Sequence, residues 1–191
     1  EVITGFGRTG TMFAMQQYGI TPDIVSFAKG VTSGYVPLGG VGVSSKIFDV
    51  LAEPNRVFMH GFTYSGHPVA CAVALRNIQI IEEENLAANA GEVGTYMIGE
   101  LSKLLERPYV GNVRGKGLMM LVEVVADKET KAKFDPAQNI GGRLQAATRK
   151  RGVIVRCNPD SIAIAPPLIL TKEQADTVVE AVADSLTEVL G

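Results

Sequence analysis

A single lysine at the end of an apolar run is the residue in this sequence best suited to covalent chemistry. Ile24 to Ala28 carries no charge and is followed at once by Lys29 and Gly30. Such a run is typical of a short strand buried on both faces. A lysine at the end of that strand would lose hydration, which favours the neutral amine that attacks a carbonyl to form a Schiff base. The alternative is a lysine that caps the strand and extends into water.

A second candidate site is the loop from Met59 to Pro68. Thr63 and Ser65 supply hydroxyl groups, and a helix beginning near Pro68 would add backbone N–H groups, so this loop is suited to binding a phosphate. The alternative is a loop that only caps the helix. A cofactor that carries a phosphate and forms a Schiff base with a lysine is pyridoxal phosphate (PLP), so the two segments together predict PLP.

A glycine-rich loop offers a competing interpretation. Gly5, Gly7 and Gly10 match the pattern G-x-G-x-x-G and, with Asp23 downstream, allow a dinucleotide-binding domain. Two features disfavour it, because only four residues precede the loop and because Asp23 precedes a strand instead of ending one. A nucleotide-binding or plain interaction domain is therefore the alternative class, with this loop as its only feature.

Composition excludes several other classes of function. The chain has 191 residues, a net charge of −2 and scattered basic residues, so neither nucleic acid nor an anionic membrane is an expected partner. No apolar run approaches the ~18 residues of a spanning helix. His60 and His67 have no cluster of cysteines or carboxylates around them, so we expect no metal site. Cys71 and Cys157 lie far apart, which predicts free thiols and a cytoplasmic location.

The elements that must position these residues fall into two regions. Alternating strand, loop and helix patterns over residues 1–50 predict a mainly parallel α/β sheet. Pro68 to Glu84 predicts a helix, and a second helix is expected from about 86 to 105. The patterns that follow predict a small α+β domain. The expected elements of this domain are a strand ending at 125, an amphipathic helix at 141–151, short strands at 153–156 and 161–165, and a last helix that begins with a capping box at Thr171 and Gln174.

Three blocks of the sequence together resemble class III PLP-dependent aminotransferases, the omega-transaminases of the amine–pyruvate and omega-amino acid–pyruvate type. The blocks are Glu1 to Gly10, Pro22 to Gly30 and Gly61 to Pro68, in the order found in that family. The resemblance covers essentially the whole chain. It implies the α/β fold of the fold-type I PLP enzymes, with residues 1–103 as the second half of the large, PLP-binding domain and 104–191 as the C-terminal small domain.

The resemblance also implies a role for individual residues. Lys29 would carry the Schiff base and move the proton, and Val2 would pack against the pyridine ring. Thr63, with Phe62 beside it, would bind the cofactor phosphate, typically that of the neighbouring subunit. Arg156 lies in a stretch similar to the one that carries a carboxylate-binding arginine, and a guanidinium matches a carboxylate bidentately. The alternative for Arg156 is a surface arginine at the end of a strand.

The function implied is transfer of an amino group from an amine or omega-amino acid to a keto acid such as pyruvate. The expected assembly is a homodimer or higher homo-oligomer with shared active sites. An aminomutase, racemase or decarboxylase of the same fold would share the lysine and phosphate blocks. The family's aspartate directly before the position of Glu1, its main phosphate loop and its ring-stacking aromatic would lie upstream of Glu1. This chain alone is therefore expected to be incomplete as an enzyme.

Overall fold

In the computed structural model, which describes residues 1–191, the chain forms two units, Glu1–Ala87 and Ala88–Gly191. The first unit has a two-stranded sheet and two α-helices. Its elements are β1 (Ile24–Ala28), β2 (Gly39–Val43), α1 (Ser45–Leu51), α2 (Pro68–Glu83) and two 3₁₀ helices, Ala14–Tyr18 and Lys29–Thr32.

Strands β1 and β2 pair antiparallel, which differs from the parallel pairing that the alternating pattern predicted. The connection between them contains only the 3₁₀ helix Lys29–Thr32, and a parallel neighbour would need a longer crossover. Phe27 lies opposite Gly40, and a Cβ atom on Gly40 would come within 2.4 Å of the Phe27 ring. Glycine at position 40 therefore lets the Phe27 side chain lie across β2.

The expectation that β1 is buried on both faces is wrong for this chain. Val25 and Phe27 are half-buried, whereas Ile24 is 60% exposed and Ser26 is also exposed. The side chains of successive strand residues point to opposite faces, and only one face of β1 is covered within this unit. The bounds of the strand, by contrast, are those that the sequence predicted.

The second unit is a four-stranded antiparallel sheet with helices packed against it. The order of its strands is β3-β4-β6-β5. Its elements are β3 (Val110–Lys116), β4 (Met119–Val124), β5 (Arg156–Asn158), β6 (Ser161–Ile164), α3 (Leu86–Ser102), α4 (Ile140–Lys150), α5 (Lys172–Leu190) and the 3₁₀ helices Lys103–Glu106 and Pro136–Gln138. One hydrophobic cluster joins these elements, and its fully buried members include Met97, Leu144, Ile162 and Leu186. This architecture is the small α+β domain that the sequence predicted.

Helix ends follow the local signals in the sequence. Helix α2 begins at Pro68, and Asn85, with φ at 52°, separates α2 from α3. The capping box at the start of α5 is present, because Gln174 N donates to Thr171 Oγ1 at 3.2 Å and Thr171 N donates to Gln174 Oε1 at 3.1 Å. The predicted second helix ends earlier than expected, at Ser102, and continues as the 3₁₀ turn Lys103–Glu106.

Two further structural findings concern membranes and metals. None of the helices is both long and apolar enough to cross a bilayer. No three His, Cys, Asp or Glu side chains are grouped so that they could hold a metal ion. The domain boundary that the sequence placed between residues 103 and 104 stays a prediction about the whole enzyme; the compact units of this chain meet at residues 87 and 88.

Candidate active site

Lys29 is the first residue after β1, and its backbone adopts a left-handed conformation with φ at 48°. It opens the 3₁₀ helix Lys29–Thr32, which ends at Ser33, also at φ 48°. Left-handed φ values cost a residue with a Cβ atom roughly 1–2 kcal/mol. The Lys29 side chain is exposed, so the predicted burial of this lysine is wrong for this chain. The turn therefore presents an accessible amine from a constrained backbone.

The glycine-rich loop lies against one side of the Lys29 turn. A Cβ atom on Gly30 would lie 3.1 Å from Phe6 Cβ and 3.3 Å from the Gly5 carbonyl oxygen, so a side chain there would require the loop to shift by a few tenths of an ångström. Phe6 is 5% exposed and makes edge-to-face contacts with Phe13 and Phe27, with ring centroids 5.3 and 5.8 Å apart. These aromatic contacts fix the loop beside β1.

The same loop lacks the features of a dinucleotide site. In that motif an α-helix opens at the glycines, and its N-terminus binds the pyrophosphate. Here the next helix is the short 3₁₀ segment Ala14–Tyr18, which begins four residues after Gly10. Asp23 precedes β1, and its Oδ1 accepts a hydrogen bond from Ser44 Oγ at 2.8 Å. The loop therefore serves to support the Lys29 turn.

A residue that the sequence analysis missed, Asn77 of α2, lies on the other side of the turn. Its Nδ2 donates to the carbonyl oxygens of Gly30 at 2.9 Å and Val31 at 3.1 Å, and its Oδ1 accepts from Ser33 Oγ at 2.6 Å. Asparagine is a poor helix former because its amide competes with the backbone for hydrogen bonds. An asparagine in the middle of an otherwise apolar helix face is the sequence feature that could have indicated a hydrogen bond to another segment of the chain.

Glu1 is a second residue without a predicted role that organises this region. Its carboxylate accepts hydrogen bonds from Thr4 Oγ1 and, at 2.9 Å, from Met15 N. Burial raises the pKa of the Glu1 carboxyl, but the hydrogen bonds from Thr4 and from backbone N–H groups outweigh it, and the pKa lies below its ordinary value. Val2 follows directly and is 38% exposed. Glu1 thus fixes the turn that carries Val2.

Phe62 and Thr63 lie on the exposed loop that precedes α2. Phe62 is 68% exposed and contacts the Tyr64 ring edge-to-face, with centroids 5.8 Å apart. Thr63 is exposed as well, within a turn closed by the hydrogen bond from Ser65 N to the Phe62 carbonyl oxygen at 2.8 Å. No hydrogen bond or ring contact joins this loop to the Lys29 turn. The first unit therefore displays two separate sets of candidate groups.

Arg156 belongs to the second unit. It is the first residue of β5, an edge strand, where it lies opposite Ala163. Its side chain is exposed and forms no ion pair within the chain. A guanidinium without an internal partner is chemically available to a carboxylate, which it can bind through two parallel hydrogen bonds.

Comparison with known proteins decides the family. The family model described as "Aminotransferase class-III" matches residues 1–186. The chain belongs to the class III aminotransferases. This confirms the resemblance that the three sequence blocks carried, and with it the expected family of enzymes.

Solved transaminase structures share the fold of this chain. An (S)-enantioselective omega-transaminase from Thermomicrobium roseum is 64% identical, with a TM-score of 0.97 over 100% of this chain and 43% of its own. An amine transaminase from an uncultivated Pseudomonas species, in its PLP-bound form, is 42% identical, with a TM-score of 0.95 over 99% of this chain and 44% of its own. The predicted α/β fold class of the PLP-dependent transferases is therefore confirmed.

A curated relative extends the comparison to an enzyme of named activity. A putrescine–pyruvate aminotransferase of Pseudomonas aeruginosa is 42% identical over 180 residues, which cover 94% of this chain and 39% of the relative. The chain thus spans about two fifths of the length of the curated relatives that it matches.

Proposed function

We propose that this chain is the C-terminal part of an omega-transaminase that moves an amino group from an amine or omega-amino acid to a keto acid such as pyruvate. The cofactor would be PLP, bound covalently by Lys29. Membership of the class III aminotransferases and the named activities of its relatives support the reaction type. The observation that carries the proposal is the Lys29 turn, which presents an exposed amine between the glycine-rich loop and Asn77.

The residues of the first unit fit PLP chemically. Lys29 Nζ supplies the primary amine that an aldehyde requires. Val2 offers a partly exposed aliphatic surface on a fixed turn, which suits the face of a pyridine ring. The Thr63 hydroxyl is exposed and free to donate to a phosphate of the neighbouring subunit, with the Phe62 ring beside it. The candidate groups therefore match the aldehyde, the ring and the phosphate of the cofactor.

The reaction follows from what these side chains can do. PLP, when bound, supplies the electron sink that stabilises a carbanion at the substrate carbon. Lys29 Nζ would take the proton from the carbon that bears the donor's nitrogen and would later return a proton to the acceptor carbon. The donor leaves as a carbonyl compound and the keto acid leaves as an amino acid, so no external oxidant is consumed.

Arg156 would set the orientation of the keto acid. Its guanidinium would bind the acceptor carboxylate through two hydrogen bonds and so fix one end of the keto acid. An amine donor without a carboxylate makes no such contact. The exposed guanidinium therefore supports a reaction in which one substrate carries a carboxylate, as a keto acid does.

A homodimer or higher homo-oligomer is part of the proposal. The loop before α2 exposes an almost continuous set of large apolar side chains, which on a protein surface marks an interaction site. They are Val57 (75% exposed), Phe58 (66%), Met59 (91%), Phe62 (68%) and Tyr64 (69%). A second subunit would bury them and bring Thr63 to its cofactor. Both cysteines are free, which suits the proposed cytoplasmic location.

Borohydride reduction of the full-length enzyme tests the central step. Reduction followed by peptide mass spectrometry is expected to find the cofactor on Lys29. Lys29→Ala should lower alanine formation from pyruvate and an amine by about 10²–10⁴-fold, the usual share of a positioned acid–base group. Lys46→Ala is the control, because Lys46 is 80% exposed on α1. An unlabelled Lys29, or a Lys29→Ala enzyme that keeps most of its activity, would refute the proposal.

A further inference from the structure

The turn that carries Lys29 is held in place from α2. Lys29 and Ser33, at its two ends, both have φ at 48°, a conformation that is uncommon for residues other than glycine. Val31 and Thr32, between them, are 3% and 1% exposed. The turn is thus fixed at its buried middle and constrained at both ends.

Asn77 supplies the polar part of that constraint. Its amide makes three hydrogen bonds to the turn, two to carbonyl oxygens and one from a hydroxyl group. The orientation of the amide is fixed by chemistry, because a carbonyl can only accept and a flipped amide would place its oxygen against two others. Aspartate at this position has the same shape but cannot donate. The hydrogen bonds therefore require an amide specifically.

The opposite side of the turn is apolar. Gly30 lies against Gly5 and Phe6, and Phe6 is itself locked by the rings of Phe13 and Phe27. Without the hydrogen bonds from Asn77, the turn keeps this apolar support and the hydrogen bond from Ser33 N to the Gly30 carbonyl oxygen at 3.3 Å, but it loses the hydrogen bonds that tie the Gly30 and Val31 carbonyl groups to α2. A rotation of those peptide groups would move the Cα atom of Lys29 and, with it, the reach of Nζ.

We propose that Asn77 is a positioning residue for Lys29, which fixes the turn so that Lys29 Nζ is held at the carbon that gives up its proton. This inference rests on the proposed function of Lys29. A displacement of about 1 Å at a reacting group can lower a rate by about 10²-fold. The loss should therefore fall on proton transfer and leave substrate binding nearly unchanged.

The experiment uses the full-length enzyme with Asn77→Ala and Asn77→Asp. Steady-state rates are measured with an ordinary amine donor and with one that carries deuterium on the carbon bearing the nitrogen. We expect kcat to fall about 10- to 100-fold, KM for the amine to change little, and the deuterium isotope effect on kcat to rise. Gln79→Ala is the matched control, because Gln79 is an exposed residue of the same helix and makes no side-chain hydrogen bond; it should behave as the unmodified enzyme.

Ser33→Ala covers the case in which the Asn77 variants do not fold. It removes only one of the three hydrogen bonds, from an exposed side chain, and should lower kcat by about two- to tenfold with the same rise in isotope effect. An unchanged kcat and isotope effect in the folded variants would overturn the proposal, as would a lower melting temperature with unchanged kinetics.

Borohydride labelling separates this proposal from the one on which it depends. Cofactor found on Lys29 in every variant, together with the kinetic change, supports the positioning role. Labelling of Lys29 with unchanged kinetics overturns the role of Asn77 and leaves that of Lys29 intact. An unmodified enzyme that is not labelled at Lys29 overturns both.

Discussion

Two glycines of one helix should respond in opposite ways to alanine. Gly94 and Gly99 both lie in α3, where glycine costs about 1 kcal/mol relative to alanine. A Cβ atom on Gly99 would meet nothing within 4 Å, so Gly99→Ala should stabilise the second unit by about that amount. A Cβ atom on Gly94 would lie 2.2 Å from the carbonyl oxygen of Gly117, which turns the chain from β3 to β4.

The size of the effect at Gly94 follows from that distance. Ordinary contact begins at 3.4 Å, so the helix and the β3–β4 turn must separate by about 1.2 Å. The atom that is met belongs to the backbone and cannot rotate away. Separation would open the packing around Met97 and Leu118, both 0% exposed. Overpacking of this kind costs typically 1–3 kcal/mol. Taking the upper end and subtracting the helix gain leaves a net loss of about 2 kcal/mol.

Hydrogen exchange of the β4 amides measures both variants in the full-length enzyme. A change of 1–2 kcal/mol in the free energy of opening changes the population of the exchange-competent open state by about 5- to 30-fold. Exchange in β4 should therefore be about 30-fold faster in Gly94→Ala and about fivefold slower in Gly99→Ala. Equal changes in the two variants, or protection that is unaltered in Gly94→Ala, would refute the argument from close backbone contact.

Two other predictions concern the second unit. Arg156→Ala should raise KM for pyruvate by about 10- to 100-fold, because it removes a charged hydrogen-bonded contact of about 1.5–3 kcal/mol. KM for an arylalkylamine donor should hardly change. Equal increases for both substrates would contradict the carboxylate-binding role. The hydrogen bond from Tyr96 Oη to Asp176 Oδ1, at 2.6 Å, raises the pKa of Tyr96 from 10.0 to about 12. The stabilisation that this hydrogen bond gives the folded state is therefore complete below pH 10 and is lost as the pH rises through about 12. Tyr96→Phe should remove this part of the alkaline loss of stability, as followed by circular dichroism between pH 9 and about 12, and an unchanged profile would rule it out.

Features set by neighbouring residues could be predicted from the sequence. The bounds of β1 follow from a short apolar run, the start of α2 from Pro68, and the start of α5 from the Thr171–Gln174 capping box. Each depends on groups within a few positions along the chain. The family, likewise, follows from three short blocks of residues, and comparison confirms it.

Features set by distant contacts could not be predicted in the same way. Asn77 and Gly30 are 47 positions apart, and Glu1 and Met15 are 14 apart. The position of the Phe27 ring across β2 depends on Gly40, which lies opposite it. The exposure of Lys29 depends on which elements cover β1, and the order of apolar and polar residues within β1 does not show which elements those are. The roles of Val2, Phe62, Thr63 and Arg156 stay predictions, because each is defined by a contact with a ligand.

The conformation of Lys29 supports the proposed role of its amine. A lysine that only caps a strand and extends into water gains nothing from a left-handed backbone, and glycine would adopt the same φ of 48° without steric cost. Here Lys29 is followed by Gly30, which packs closely against Gly5 and Phe6, and Asn77 donates to the carbonyl groups of Gly30 and Val31. A strained backbone that its surroundings hold in place is typical of functional sites, and this supports the proposal for Lys29.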